Sequence, residues 1–236
     1  VAEQTSMALR ARAPFRSDQV KVLTVTDIDT LYQRRLQSLP QLCGLIADLQ
    51  RARQGRYLVA LPSYEYLDHL SRSPDKPANF IAQSPAMDED EQLALLKQFQ
   101  QSPAAVLGIV MGGVFAESVD LGTSTVAGVV VVSLGLPPTN LIRSLSVEYF
   151  NGAHGIGWGE QIAYLQPAMT RVVQAAGRLI RGPRDKGVIC LVDPRFADPT
   201  IAKFFPEHWQ PEKMSANRVE SCLKAFRSND LSQPED

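Results

Sequence analysis

Gln174, Arg178 and Arg181 stand at i, i+4 and i+7 within Gln174-Ala175-Ala176-Gly177-Arg178-Leu179-Ile180-Arg181. On a helix that spacing projects one amide and two guanidiniums from a single narrow face. Val172, Ala176 and Leu179 then point the opposite way and can pack on a core. Arginine brings planar, permanently charged, paired donors, which suit a polyphosphate better than a carboxylate. An ordinary amphipathic helix with solvated Arg residues has the same spacing. The context favours a ligand: Gly182-Pro183-Arg184-Asp185-Lys186-Gly187 follows at once, then the apolar run Val188 to Val192. Gly177 costs a helix about 1 kcal/mol relative to Ala, which suggests that something approaches the backbone closely there.

The elements that must position this face alternate along the chain. Strands are expected at Val20–Val25, Tyr57–Leu61, Asn79–Ala82, Val106–Met111, Val126–Val132 and Val188–Val192. Several are continuous apolar runs, the pattern of strands buried on both faces. Helices are expected at about Leu31–Arg53, Tyr64–Arg72, Asp88–Gln100, Asn140–Phe150 and Pro167–Arg181. Asp88 with Glu91 three residues on forms a candidate capping box, and Pro167 fits a first helical turn. Together these predict an α/β fold: a doubly wound, mostly parallel sheet with helices on both faces. One domain over residues 1–226 accounts for the pattern. The segment through Phe15 has no partner pattern and reads as a stretch cut from a larger protein. Residues 227–236 form a polar tail expected to lack fixed structure.

Ligands of such sheets bind beyond the carboxyl ends of the strands. Three polar clusters fall there: Pro62-Ser63-Tyr64-Glu65, Gly112-Gly113 running on to Glu117 and Asp120, and Asp193-Pro194-Arg195-Phe196. Gly112-Gly113 lets a backbone run close to a phosphate, although a tight turn has the same signature. Asp120 suits a ribose hydroxyl or a turn cap. Ser63 and Tyr64 offer a hydroxyl and an aromatic face to a sugar–phosphate strand, although Ser63 equally suits a helix N-cap.

Other chemistries find no support. The net charge of −1 is not that of a polybasic nucleic-acid binder. Cys43, Cys190 and Cys222 are far apart and form no disulfide or metal-ligand spacing, so no metal site is expected and a reducing cytoplasm is the expected compartment. The longest apolar stretch, near Val126–Leu136, is too short to span a bilayer, so no membrane partner is expected. A complete phosphate loop G-x-x-x-x-G-K-[ST] is absent. The glycine run Gly152–Gly159 follows no strand and reads as a connector. His69, His154 and His208 form no metal or nucleophile pattern. A self-contained active site is not expected.

The motifs resemble the second RecA-like motor domain of the XPD/DinG branch of superfamily 2 DNA helicases. Gln174–Arg181 with Asp185-x-Gly187 and Asp193-x-Arg195-Phe196 resembles that family's motif VI and the strand after it. Gly113-x-Phe115-x-Glu117-x-x-Asp120 resembles motif V, with Ser118 where the family usually has Gly. Tyr57–Tyr64 resembles the motif IV strand and loop, and Thr30-x-Tyr32-x-x-Arg35-x-x-Ser38-Leu39 the opening helix. The matches run in family order from about Thr30 to Phe196.

The resemblance implies a P-loop NTPase-like fold without its own phosphate loop. ATP with Mg²⁺ would sit in a cleft shared with a first motor domain, which carries the phosphate loop, the acidic Mg²⁺ motif and, in most members, an iron–sulfur cluster. Arg178 and Arg181 would reach the γ-phosphate as arginine fingers, and Gln174 would position the phosphate or the attacking water. Asp120 would touch the nucleotide sugar, with Glu117 and Gly177 beside the nucleotide. Ser63, Tyr64, Gly112 and Gly113 would hold single-stranded DNA. The implied setting is the cytoplasm, at the nucleoid for a DinG-like bacterial protein, with a role in DNA repair. A second reading is a non-catalytic RecA-like module that binds nucleic acid or a protein partner.

Overall fold

The structure, a computed structural model, describes residues 16–117, 126–180, 182 and 185–230. In order come β1 (Val20–Val25), α1 (Leu39–Ala52), β2 (Arg56–Leu61), α2 (Tyr64–Arg72), β3 (Phe80–Ala82), α3 (Glu89–Gln101), β4 (Val106–Val110), α4 (Val114–Glu117) and β5 (Val126–Val132). Then follow α5 (Leu141–His154), α6 (Trp158–Glu160), a π-helical turn (Gln161–Leu165), α7 (Gln166–Ala176), β6 (Gly187–Val192), α8 (Pro199–Ala202), β7 (Pro211–Met214) and α9 (Val219–Asp230). The strands form one sheet in the order β3-β4-β2-β5-β6-β1-β7. Every pairing is parallel. All strands therefore end on one edge, and the loops that leave them converge there.

Alternation along the strands feeds two cores. On one face Leu58, Ala60, Leu107 and Ile109 pack with α3, α4 and α7 through Phe99, Phe115 and Val172. On the other, Tyr57, Val59 and Leu61 pack with α1, α2 and α9 through Leu49, Tyr66 and Leu223. This is the α/β, RecA-like arrangement expected from the continuous apolar runs. Tyr57 is wholly buried yet satisfied, because its hydroxyl donates to the Leu49 and Arg53 carbonyls at the end of α1. Burial raises that phenol's pKa and pushes the Cys190 thiol of β6 up to about 12.

Six strands and α2 lie where the sequence places them. Asp88 and Glu91 form the reciprocal capping box at α3. Several expectations need correction. The helix expected from Leu31 begins only at Leu39, and residues 31–38 form tight turns with Arg35 N–H donating to Leu31 O. Pro40 has no N–H to donate to Leu36, so it fits the first turn of a new helix rather than the interior of a longer one. The expected final helix starts earlier, through α6 and the π turn, and α7 stops at Ala176 instead of Arg181. The glycine-run connector shrinks accordingly, since residues 152–154 end α5 and Trp158 opens α6.

At that stop, Gly177 N–H donates to Val173 O, and Arg178 and Leu179 N–H donate three residues back. Leu179 and Ile180, just past that stop, are both buried in the core on the α7 side of the sheet. β7, α8 and α9 were not anticipated. The final helix runs to Asp230, four residues into the expected unstructured tail.

Candidate functional site at the carboxyl edge of the sheet

The three polar clusters share this edge, and two of them are joined. Gln83, the residue after β3, is 5% exposed. Its Oε1 accepts from Val110 N–H at 3.1 Å and its Nε2 donates to the Tyr64 hydroxyl at 2.5 Å. A Cβ at Gly113 would lie 3.2 Å from the same Nε2. One buried amide thus fixes the Tyr64 side chain against the Gly112–Gly113 turn. Ser63 is the N-cap of α2, accepting from Tyr66 N–H at 3.3 Å, so its capping role is realised, and the residue also lines a cleft at this edge.

Gly112 has φ +74°, in the left-handed region that favours glycine. A Cβ there would stand 3.0 Å from Arg171 Nε on α7. Arg171 therefore covers the turn, a role that no sequence motif marked. Replacing Gln83 with Leu strands the Val110 N–H and frees the Tyr64 ring. We expect a loss of about 1–3 kcal/mol in denaturant unfolding; no change would show that the amide link is dispensable.

The amide and guanidiniums of α7 are arranged differently from the expectation. Gln174 is exposed on the last turn of α7. Arg178 lies past the helix end, half-buried, with Nε donating to Ala116 O of α4 at 2.9 Å. The two no longer share a continuous helical face, because the chain turns at Gly177. Gly177 itself is exposed, and a Cβ there would meet only carbonyls of its own helix at Val173 and Gln174. No close approach explains it; it ends the helix. Arg181, Asp120 and Ser118 lie outside the described residues, as does the side chain of Glu117.

Beyond Arg178 the chain re-enters the sheet through a turn closed by Asp185, whose carboxylate accepts from Gly182 N–H at 2.8 Å. Gln19, buried beside β1, donates to the Gly182 and Asp185 carbonyls. This pins the approach to β6 and explains the Asp at 185 structurally.

The third cluster is a clasp between β6, β5 and β1. Asp193 is 1% exposed and takes a bidentate pair from Arg195, at 2.8 and 2.7 Å. It also accepts from the Thr30 hydroxyl, and Arg195 reaches Ser133 Oγ at 3.2 Å. The carboxylate raises the Arg195 pKa further, so the guanidinium stays charged at any working pH. Nearby, Arg35 is buried, pairs with Glu65 at 2.7 Å and lies 4.3 Å over the Tyr32 ring.

Among the described residues, no group of three or more His, Cys, Asp or Glu is placed to hold a metal ion, and no helix is long and apolar enough to cross a membrane. The edge can therefore offer backbone amides, hydroxyls, aromatic faces and guanidiniums.

Comparison with known proteins agrees with this architecture. The profile of the helicase C-terminal domain family matches residues 46–212. A probable ATP-dependent helicase of Methanocaldococcus jannaschii is 30% identical over 203 residues, covering 79% of this chain and 30% of that protein. The ATP-dependent DNA helicase XPD of Sulfolobus acidocaldarius is 27% identical over 147 residues, covering 59% of this chain and 25% of that protein. The chain spans less than a third of the length of these relatives.

Two solved structures share the fold. An XPD helicase superposes with a TM-score of 0.65 at 20% identity, covering 83% of this chain and 35% of the other. The C-terminal domain of the DEAD-box protein Dbp5 superposes with 0.53 at 15% identity, covering 89% and 98%. A RecA-like sheet with the family's motifs at its carboxyl edge, matched over most of its length, makes this chain a member of the C-terminal helicase domain family found in XPD-type superfamily 2 DNA helicases.

Proposed function

We propose that the chain is the second motor lobe of an ATP-dependent DNA helicase, working with a first motor domain of the same protein. It holds single-stranded DNA along the carboxyl edge and presents Gln174, Arg178 and Arg181 to a nucleotide housed mainly by the other lobe. The observation that carries this reading is the link through Gln83, which ties Tyr64 to the Gly112–Gly113 turn as one continuous surface. Ser63, Tyr64 and the Gly112–Gly113 turn then serve the DNA strand, with a hydroxyl, an aromatic face and a close backbone approach, Gly113 N–H itself being taken by Val110 O.

The residues present fit one end of a triphosphate rather than a whole nucleotide. An exposed amide at Gln174 and a half-buried guanidinium at Arg178 suit a terminal phosphate. Asp120, Glu117 and Gly177 are assigned to its periphery, Asp120 toward the sugar. Bound ATP with Mg²⁺ supplies the hydrolysable anhydride; the metal's carboxylates and any iron–sulfur cluster belong to the first lobe. A missing lobe also accounts for α5, which buries none of its residues and leaves Leu141, Ile142 and Tyr149 exposed along one side.

The test is direct. The isolated chain is expected to hydrolyse no measurable ATP with or without single-stranded DNA, while the full-length protein shows DNA-stimulated turnover. Robust hydrolysis by the pure chain would overturn the proposal that most of the site lies elsewhere.

A further inference from the structure

Beside Ser63 the carboxyl edge opens into a cleft of about 430 Å³ that the roles above leave unused. Its walls include Tyr32, Leu136, Pro138, Ser63, Ser133 and Arg195, from the loops after β1, β2, β5 and β6. Tyr32 is 70% exposed. The Arg35 guanidinium covers one face of its ring at 4.3 Å, which leaves the other face open. Arg35 is buried and tied to Glu65, so the ring is backed by a fixed plane.

The charge balance of the cleft selects its occupant. Both of its guanidiniums are already neutralised, Arg35 by Glu65 and Arg195 by the buried Asp193. A polyphosphate would meet two paired cations and their carboxylates, a poor site for several negative charges. A flat, uncharged, polar-edged ring meets an open aromatic face, apolar walls at Leu136 and Pro138, and hydroxyls at Ser63 and Ser133. The volume lies in the range of ordinary small-molecule pockets and exceeds that of a single base.

The loop after β5 builds this wall in an uncommon backbone. Ser133 has φ +69° and Gly135 φ +61°, and a Cβ at Gly135 would lie 2.8 Å from Met111 Cε. A non-glycine residue held in the left-handed region is uncommon and more frequent at binding sites.

We propose that this cleft receives one unstacked nucleobase of the bound single strand, which lies on the free face of Tyr32. The inference rests on the DNA-binding reading above and adds to it a base-sized subsite next to the phosphate-contacting residues. Stacking reads only a π-face, so the subsite takes any base and grips the strand once per step.

The experiment measures binding of the full-length protein to fluorescent oligonucleotides that carry one abasic residue at successive positions. In the wild type, one position is expected to lower affinity roughly 5- to 100-fold when its base is missing. Tyr32→Ala should weaken intact DNA by a similar factor and lose that sensitivity, with an unchanged melting temperature; Tyr32→Phe should keep both. If the wild type binds the strand in a salt-dependent way but no abasic position stands out, the base subsite is wrong, the DNA-binding reading survives, and the cleft is open to a protein side chain. If Tyr32→Ala weakens intact and all abasic strands equally, the subsite is likewise overturned. Absence of any single-strand binding overturns both readings.

Discussion

Arg178→Ala and Arg181→Ala, each made in the full-length protein, are expected to lower DNA-stimulated ATP hydrolysis by about 10³–10⁵-fold, with single-strand affinity within a few-fold of wild type. Guanidiniums that meet a phosphate only as its charge redistributes stabilise the transition state and little else, so kcat falls while binding persists. In barrier terms the loss is about 4–7 kcal/mol. For Arg178 the structure adds a constraint on orientation. Its Nε is held by Ala116 O of α4, so the outer edge of the guanidinium is aimed by a neighbouring element rather than by its own helix. Lysine carries all its donors on one nitrogen, so an ammonium held at Ala116 O has no second nitrogen extending outward as the guanidinium does, and Arg178→Lys should not restore turnover. Steady-state ATPase assays with saturating single-stranded DNA check this. Near-wild-type kcat in either alanine variant would exclude arginine fingers at these positions.

The second large effect is on stability. Asp193→Ala is expected to cost about 3 kcal/mol, because it leaves Arg195 facing an uncompensated site and removes the acceptor of Thr30. The lower end of the usual range applies because the Arg195 side chain is one-third exposed and water recovers part of the loss. For a domain of this size that corresponds to a melting temperature lower by about 6–12 °C. Arg195→Met strands the buried carboxylate instead and should cost a comparable amount. The double variant should cost less than the sum, as expected for two members of one pair. Additive losses in calorimetry would show that Asp193 and Arg195 act independently, contrary to the bidentate geometry.

The legible parts of the sequence were those whose signal is local. β2, β4, β5 and β6 read as unbroken apolar runs because both sheet faces are covered. β7 escaped because an edge strand needs little apolar surface: in Pro-Glu-Lys-Met only Met214 is buried. Caps written by adjacent residues were equally visible, as with Asp88–Glu91 and Ser63. Helix ends were less so. Pro40 delays α1, and α7 ends at Gly177, past which Arg178 and Leu179 donate three residues back although the apolar spacing runs on, so periodicity did not mark the stop.

The candidate site divides along the same line. Ser63, Tyr64, Gly112, Gly113, Gln174 and Arg178 were visible as types that bind nucleic acid or phosphate, because side-chain chemistry travels with the residue. Gln83, Arg171 and the cleft at Tyr32 were not. Each depends on partners far along the chain that a parallel sheet brings to one edge: Gln83 on Tyr64 and Val110, Arg171 on Gly112, Tyr32 on the loops after three other strands.

Residue types and their order by themselves determined the α/β class, the family and the chemistry on offer. Only the tertiary structure decided which of those groups meet and which way Arg178 is held. Hydrophobic patterning is written along the chain, whereas hydrogen-bond partnership between distant loops exists only after the strands have been laid in register.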